Sequence, residues 1–435
     1  MITLQQAEAF SVAARSAARF PVDNAARNNV AMRLMHSALF LAIVGSFLVF
    51  IEPSPYEAFS ALLVFTCLLA GISMDRKLLP LVFLLLLYNV GGMLSLVQVA
   101  EDEAAVRFVQ ISFYMAFTAI IFAMIFSRDP MKSSDILTKA YIIAGLCAAI
   151  VGIVTYFDLV PGSDMFKLYG RSRSTFKDPN VYGPFLVLPL LFLLQSFLMR
   201  RARVVTLIVA LVIAVGLFLT FSRAAWAHMV FSAAMMILLM FVTTSSVWFR
   251  ARLVTFSILM TGAVAVILVG LLAVGNVGAV FEQRASLNQS YDTGESGRFA
   301  NQIKSIDGLM DRPNGFGPLQ FHTHFGYDPH QVYLNAFASY GWLGGFSYIA
   351  MVLLTLFIGF RNVLTPTPWQ LYFIAALSTF TGVAIEGMVI DTDHWRHYYL
   401  LVGLVWGYAI ATMNAKRLAT QKNAFLLNHH LRAAI

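Results

Sequence analysis

Residues 78–97 read LLPLVFLLLLYNVGGMLSLV, twenty positions without a charge. At about 1.5 Å per residue this run measures roughly 30 Å as a helix, the thickness of a bilayer's hydrocarbon core. Arg76 and Lys77 precede it, and the acidic Glu101, Asp102 and Glu103 follow it. Short loops rich in Lys and Arg stay in the cytoplasm, so this one segment supplies both a crossing and its direction.

Working outward, the pattern recurs. Further apolar runs lie near 36–51, 56–73, 106–127, 137–157, 181–199, 204–221, 226–243, 252–275, 333–360, 369–388 and 397–414. They predict an all-α polytopic membrane protein of about twelve transmembrane helices. Basic groups collect on one side: the N-terminal segment, Arg76 and Lys77, Arg128 and Lys132, Arg200 to Arg203, Arg250 and Arg252, Arg361, and the tail with Lys416 and Arg417. With that side cytoplasmic, both termini lie inside. The predicted organisation is a cytoplasmic segment 1–35, helices 1–9 over 36–275, one large periplasmic loop over 276–332, helices 10–12 over 333–414, and a cytoplasmic tail 415–435. Short helices are expected around 298–311 in the large loop. A removable signal peptide is not expected, because Arg15, Arg19, Arg27 and Arg33 flank no apolar core and no small-residue cleavage site follows the first run. A β-barrel is excluded, since its strands would alternate apolar and polar residues.

Composition agrees. Of 435 residues 59% are hydrophobic and 12% charged, and mean hydropathy is +0.73. Charges this sparse cannot solvate a surface of this size, which excludes a water-soluble enzyme. The net charge of +8 arises from small cationic groups between apolar runs, a pattern suited to anionic lipid headgroups and not to nucleic acid. Cys67 and Cys147 fall in separate apolar runs and read as small core residues, neither a disulfide nor a metal pair.

The informative feature violates the charge rule. Lys167, Arg171, Arg173 and Lys177 crowd one short external loop, and Arg223 stands in a turn of a few residues on the same side. A cation costs about 2.5–3.5 kcal/mol at the bilayer centre and less toward the boundary, so cations retained here point to an anionic partner. The bland reading is snorkelling to phospholipid phosphates, which requires no particular flanking sequence.

These cations do have one. In chain order come Arg173-Ser-Thr-Phe-Lys-Asp-Pro-Asn180, Phe221-Ser-Arg-Ala-Ala-Trp226, Gly297-Arg298, Pro313-Asn-Gly-Phe-Gly317, Pro329-His-Gln-Val-Tyr-Leu-Asn335 and Gly341-Trp-Leu-Gly344. Their order, their shared side and the large loop between them resemble the O-antigen ligase and polymerase superfamily of bacterial envelope glycosyltransferases, over roughly residues 165–400. The resemblance implies a GT-C-like enzyme of the bacterial inner membrane whose donor is a glycan on undecaprenyl diphosphate and whose acceptor is lipid A-core or a growing glycan. It implies that external arginines hold the diphosphate and that a histidine at the end of the large loop is the base. Matched by motif, these are Arg223 and Arg298, with Arg171 and Arg173 both candidates for the upstream basic position, and His330. The Ser-Arg-Ala-Ala-Trp and Pro-His-Gln-Val-Tyr-Leu-Asn strings look more like ligases than polymerases.

The residue types suit that chemistry. Guanidinium forks bind phosphate oxygens bidentately and stay charged, so they can stabilise a departing diphosphate without a metal or other cofactor. An imidazole ordinarily titrates near 6.5 and can take an acceptor hydroxyl's proton at neutral pH. One direct displacement inverts the anomeric carbon. The alternative for His330 is a cap on the helix beginning near Val332, or a hydrogen bond to Asp328. A second external cluster, Asp391, Asp393, His394, Arg396 and His397, together with Asn335, either orients His330 or holds the acceptor, or is an ordinary interfacial loop. His322 and His324 with Asp328 read as polar surface before a metal site. Ser222 lacks a nucleophile elbow, and Gly341 to Gly345 read as a close-packing stripe. A rival of another class is a transporter or flippase of an anionic lipid-linked solute. It would hold its ionisable groups near the bilayer midplane, whereas here they gather at one face, and Glu386 is close to the external end of its run.

Overall fold

A computed structural model of the chain describes residues 25–50, 53–273, 277, 278, 280, 281 and 298–433. The stretch 282–297 of the large loop and the first 24 residues lie outside the described residues. The helices are α1 (Ala25–Gly45), α2 (Pro55–Leu69), α3 (Leu79–Leu96), α4 (Glu103–Arg128), α5 (Pro130–Tyr156), α6 (Pro179–Phe185), α7 (Val187–Leu198), α8 (Val204–Phe218), α9 (Arg223–Thr243), α10 (Val247–Leu272), α11 (Arg298–Met310), α12 (Phe321–Phe325), α13 (Val332–Val363), α14 (Gln370–Glu386) and α15 (Arg396–Ala433). A two-residue hairpin, β1 (Lys167–Leu168) and β2 (Arg171–Ser172), lies between α5 and α6.

Every apolar run of the sequence falls on a helix. Seven helical segments among the described residues are long and apolar enough to cross a membrane, and α2, α8, α14 and Val30–Gly45 of α1 are shorter apolar helices. Leu68, Phe83, Val97, Val230, Leu353 and Phe357 expose more than half of their surface, a belt that water would not tolerate and lipid tails do. The chain is a multi-pass membrane protein. The run 181–199 is broken into α6 and α7, because Pro184 and Pro189 each lack the amide hydrogen that would continue the ladder.

The last helix is the centre of the bundle. Tyr398, Tyr399, Leu404, Trp406 and Tyr408 are fully buried, and α15 packs against α4, α13 and α14. Gly403 and Gly407, one turn apart, bring it against α4: a Cβ on them would lie 2.6 Å from Cβ of Phe122 and of Phe126. Small residues at that spacing let helix backbones approach closely in membranes. The same device joins α3 to α13, where a Cβ on Gly91 would sit 2.6 Å from the backbone nitrogen of Gly344.

Within α13 the helix is interrupted at Gly341 (φ 65°, ψ −170°). The break frees backbone groups that the Pro313–Gly317 motif takes up. Trp342 N–H donates to Pro313 O (2.8 Å) and Phe316 N–H donates to Ala338 O (2.8 Å). Gly315, at φ +69°, fits because a Cβ there would lie 2.5 Å from the carbonyl oxygens of Phe337 and Ala338. Gly315→Ala should therefore destabilise by roughly 3 kcal/mol or more, left-handed strain plus overlap. Gly326 is also left-handed (φ +80°) but has nothing within 4 Å of its Cβ position. Thermal unfolding in detergent should fall distinctly further for Gly315→Ala than for Gly326→Ala; equal losses would contradict the docking.

Candidate functional site

The loop ends opposite the Lys- and Arg-rich face converge on the C-terminal end of α14. The Arg223 turn is fixed from several directions. Phe221 adopts φ +46°, a strained conformation for a bulky residue and one that tends to occur at functional sites. Ser222 caps α9, its Oγ accepting from Ala225 N–H (3.3 Å), and Arg223 opens the helix, partly exposed. Trp226 stacks on Phe218 at 5.4 Å and meets the Phe221 ring. The hairpin closes over this turn: Ser172 N–H donates to Leu219 O (3.0 Å), and the buried Arg171 donates from Nε to Thr220 O (2.7 Å) and from Nη2 to Asn180 Oδ1 (2.8 Å).

Arg171 thus braces the Arg223 turn against α6. Arg173 donates to Met165 O and Lys177 O, holding its own loop. Lys167 is paired with Asp158 (2.5 Å) and Asp164 (3.5 Å); the bond from Asp158 raises its ammonium pKa. Lys167, Arg171 and Arg173 therefore engage oxygens of this chain, which the sequence could not reveal.

His330 sits at the other flank of the same helix end, also at a left-handed φ of +46°. Its segment is gripped on three sides. Gln302 of α11 donates from Nε2 to Pro329 O (2.6 Å). The Asp391 carboxylate accepts from the N–H groups of His330 and Gln331, the latter at 3.0 Å. Val332 N–H donates to Gly387 O (2.9 Å). Burial, with Asp393 and Asp328 nearby, pushes the Asp391 carboxyl well above the usual range. Arg298 begins α11 four residues before Gln302; its side chain lies outside the described residues.

One buried pair sets the level of these two flanks. His228 Nδ1 lies 2.8 Å from Glu386 Oε2, and its Nε2 lies 3.0 Å from Thr379 O. A carbonyl only accepts, so Nε2 carries a hydrogen, and the pair ties α9 to α14. Arg223 is five residues, about 7–8 Å along the axis, beyond His228, while Gly387, which receives Val332 N–H, directly follows Glu386. Position 223 and the His330 segment accordingly lie on either side of one helix terminus, at the same face.

Residues 207–349 match the family model described as Wzy_C, O-antigen ligase. This stretch is similar to the O-antigen ligase family. It spans about a third of the protein, includes Arg223, Arg298, His330 and Asn335, and supports membership of the O-antigen ligase and polymerase superfamily. The family is of the membrane glycosyltransferase type, and the match supports, at that coarse level, a multi-pass bacterial membrane enzyme. Among curated proteins, none matches the chain.

The remaining candidate residues divide between two places. Asn335 Oδ1 accepts from Ser339 within α13 (2.9 Å), a local contact. Asp393, nearly inaccessible, accepts from Tyr88 OH (3.3 Å) and lies 3.0 Å from His394 Nδ1. His394 stacks on Phe108 at 3.5 Å between ring centroids. Arg396 pairs with Glu57 and lies over the Tyr56 ring. His394 and Arg396 line a cavity of about 330 Å³ with Tyr56, Phe108, Lys177 and Trp395. A second cavity, an apolar groove of about 470 Å³, starts at Gln331 and runs between α11 and α13 past Leu309, Phe337, Trp342 and Phe346. His322, on α12, faces Asp328 at 3.7 Å and is exposed, and His324 packs on the Phe316 ring.

Sequence reasoning missed Gln302 and His228. Gln302 lies in an amphipathic stretch with no motif around it, and His228 is a lone polar residue inside an apolar run. An i+4 spacing from Arg298 to Gln302 was the one available signal.

Proposed function

We propose that this protein transfers a glycan from undecaprenyl diphosphate to an acceptor hydroxyl at the periplasmic face of the inner membrane, in the manner of an O-antigen ligase. The observation that carries the proposal is the placement of the Arg223 turn and the His330 segment on either side of the α14 terminus. Arg223 and Arg298 bind the diphosphate, with Arg171 bracing the turn beneath and Arg173 shaping its loop. Their positive charge stabilises the leaving group as the anomeric bond breaks, and no metal or other cofactor is needed for that step. His330 takes the acceptor hydroxyl's proton, and the displacement inverts the anomeric carbon. Asp391 orients His330 through the backbone, while Asp393, His394 and Arg396 shape the neighbouring cavity, where an acceptor sugar fits. The apolar groove beside Gln331 suits a prenyl chain arriving laterally from the bilayer. All twelve apolar helices cross the membrane, with both termini cytoplasmic.

Purified protein, an undecaprenyl diphosphate glycan and lipid A-core, incubated with chelator and no nucleotide, should yield glycosylated acceptor. Tight donor binding without product from lipid A-core or any glycan acceptor would favour a carrier instead. A deletion strain separates ligase from polymerase: loss of a ligase leaves long chains on undecaprenyl diphosphate, whereas loss of a polymerase leaves single repeat units on the acceptor.

A further inference from the structure

The opposite face of the bundle holds a concavity that the glycan chemistry does not use. It measures about 460 Å³ and opens between the start of α3, the last turns of α13 and the α15 helix. Its rim carries Lys77, Arg361 and Lys416, one cation from each of three separate stretches of chain, and its wall is formed by Pro80, Leu354, Phe357 and Ile358. Trp406 closes the floor, held by a bond from its Nε1 to Thr355 Oγ1 (2.9 Å).

The cations are placed. Lys77 donates to Asn414 Oδ1 and lies 3.8 Å from Asp75, and Lys416 donates to Asn362 Oδ1 (3.4 Å). The Arg361 guanidinium lies 5.9 Å over the Phe357 ring. With Asp75 set against them, the rim keeps a net positive charge of two. Phe357 is 59% exposed and Leu79, beside Pro80, is 50% exposed, so the same hollow presents an apolar wall on its membrane side. A free phosphate would have no use for that wall. Scattered snorkelling cations would not converge on one floor-closed hollow.

We propose that this hollow binds an anionic phospholipid of the cytoplasmic leaflet. The phosphodiester lies among Lys77, Arg361 and Lys416, and an acyl chain follows Phe357 and Ile358 toward the bilayer centre. The site is independent of the chemistry at the other face.

Native mass spectrometry of the full protein, equilibrated with phosphatidylglycerol or with phosphatidylcholine, tests this. Wild type should retain phosphatidylglycerol in preference to phosphatidylcholine. The double substitution Arg361→Gln with Lys416→Gln should weaken retention roughly thirtyfold, at about tenfold per 1.4 kcal/mol for two surface cations. Arg361→Gln alone, whose side chain rests on an exposed ring, should weaken it in the same direction and guards against a folding defect. Arg203→Gln, an exposed cation of the same face outside the hollow, should leave retention unchanged. Undiminished retention in the double variant, or an equal loss from Arg203→Gln, would overturn the proposal. Displacement by inorganic phosphate at the lipid's own concentration would overturn the lipid assignment.

Discussion

Arg223→Ala is expected to lower glycan transfer by roughly 10²–10³-fold while the protein remains folded and inserted, the loss typical of removing one preorganised group at a developing anion. The turn is built around Ser222, Thr220, Trp226 and the Arg171 brace, contacts that the substitution leaves in place. Arg223→Lys restores the charge without the fork and should recover only part of the rate. Arg171→Ala should differ in kind. Its fork anchors the hairpin to Thr220 O, so the thermal transition should drop along with activity. The decisive measurement is turnover beside detergent melting curves. Near-normal turnover in Arg223→Ala would remove this residue from the site.

His330→Ala is expected to reduce transfer by about 10²–10⁴-fold, the range for losing a positioned general base. Donor binding should survive, because the proposed diphosphate site is made by other residues. His330→Gln keeps a hydrogen-bonding side chain without a usable base and should be equally slow. Asp391→Asn gives the complementary result: its carboxylate meets the backbone of His330 and Gln331, so replacing it should slow transfer through misplacement of the base and shift the melting temperature as well. Surface glycan in a complemented deletion strain, read against protein abundance, checks both. Wild-type glycan levels from His330→Ala would refute its role as base.

The architecture was largely legible in the sequence, since each run such as 78–97 is long and apolar enough to dictate a helix. The motifs were legible as strings, and the resemblance they carry agrees with the family match over residues 207–349. What periodicity could not convey was the use of each cation. Arg171 and Arg223 look alike in sequence, yet one is buried on carbonyl and amide oxygens while the other opens a helix, partly exposed. The break at Gly341 was equally hidden. A glycine in an apolar run reads as close packing, and so Gly344 proves to be, but Gly341 instead admits the Pro313–Gly317 segment. Such pairings join residues far apart in the chain, and spacing alone carries no information about them.

The central position of α15 bears on how the molecule is made. Translation delivers α4, α13 and α14 to the bilayer before their shared partner exists. Until Tyr398 to Tyr408 emerge, the grooves that receive them must stay open to lipid or to a chaperone. Biogenesis is therefore expected to pass through an intermediate in which these grooves are unfilled, and a chain truncated ahead of residue 396 should fail to close its core.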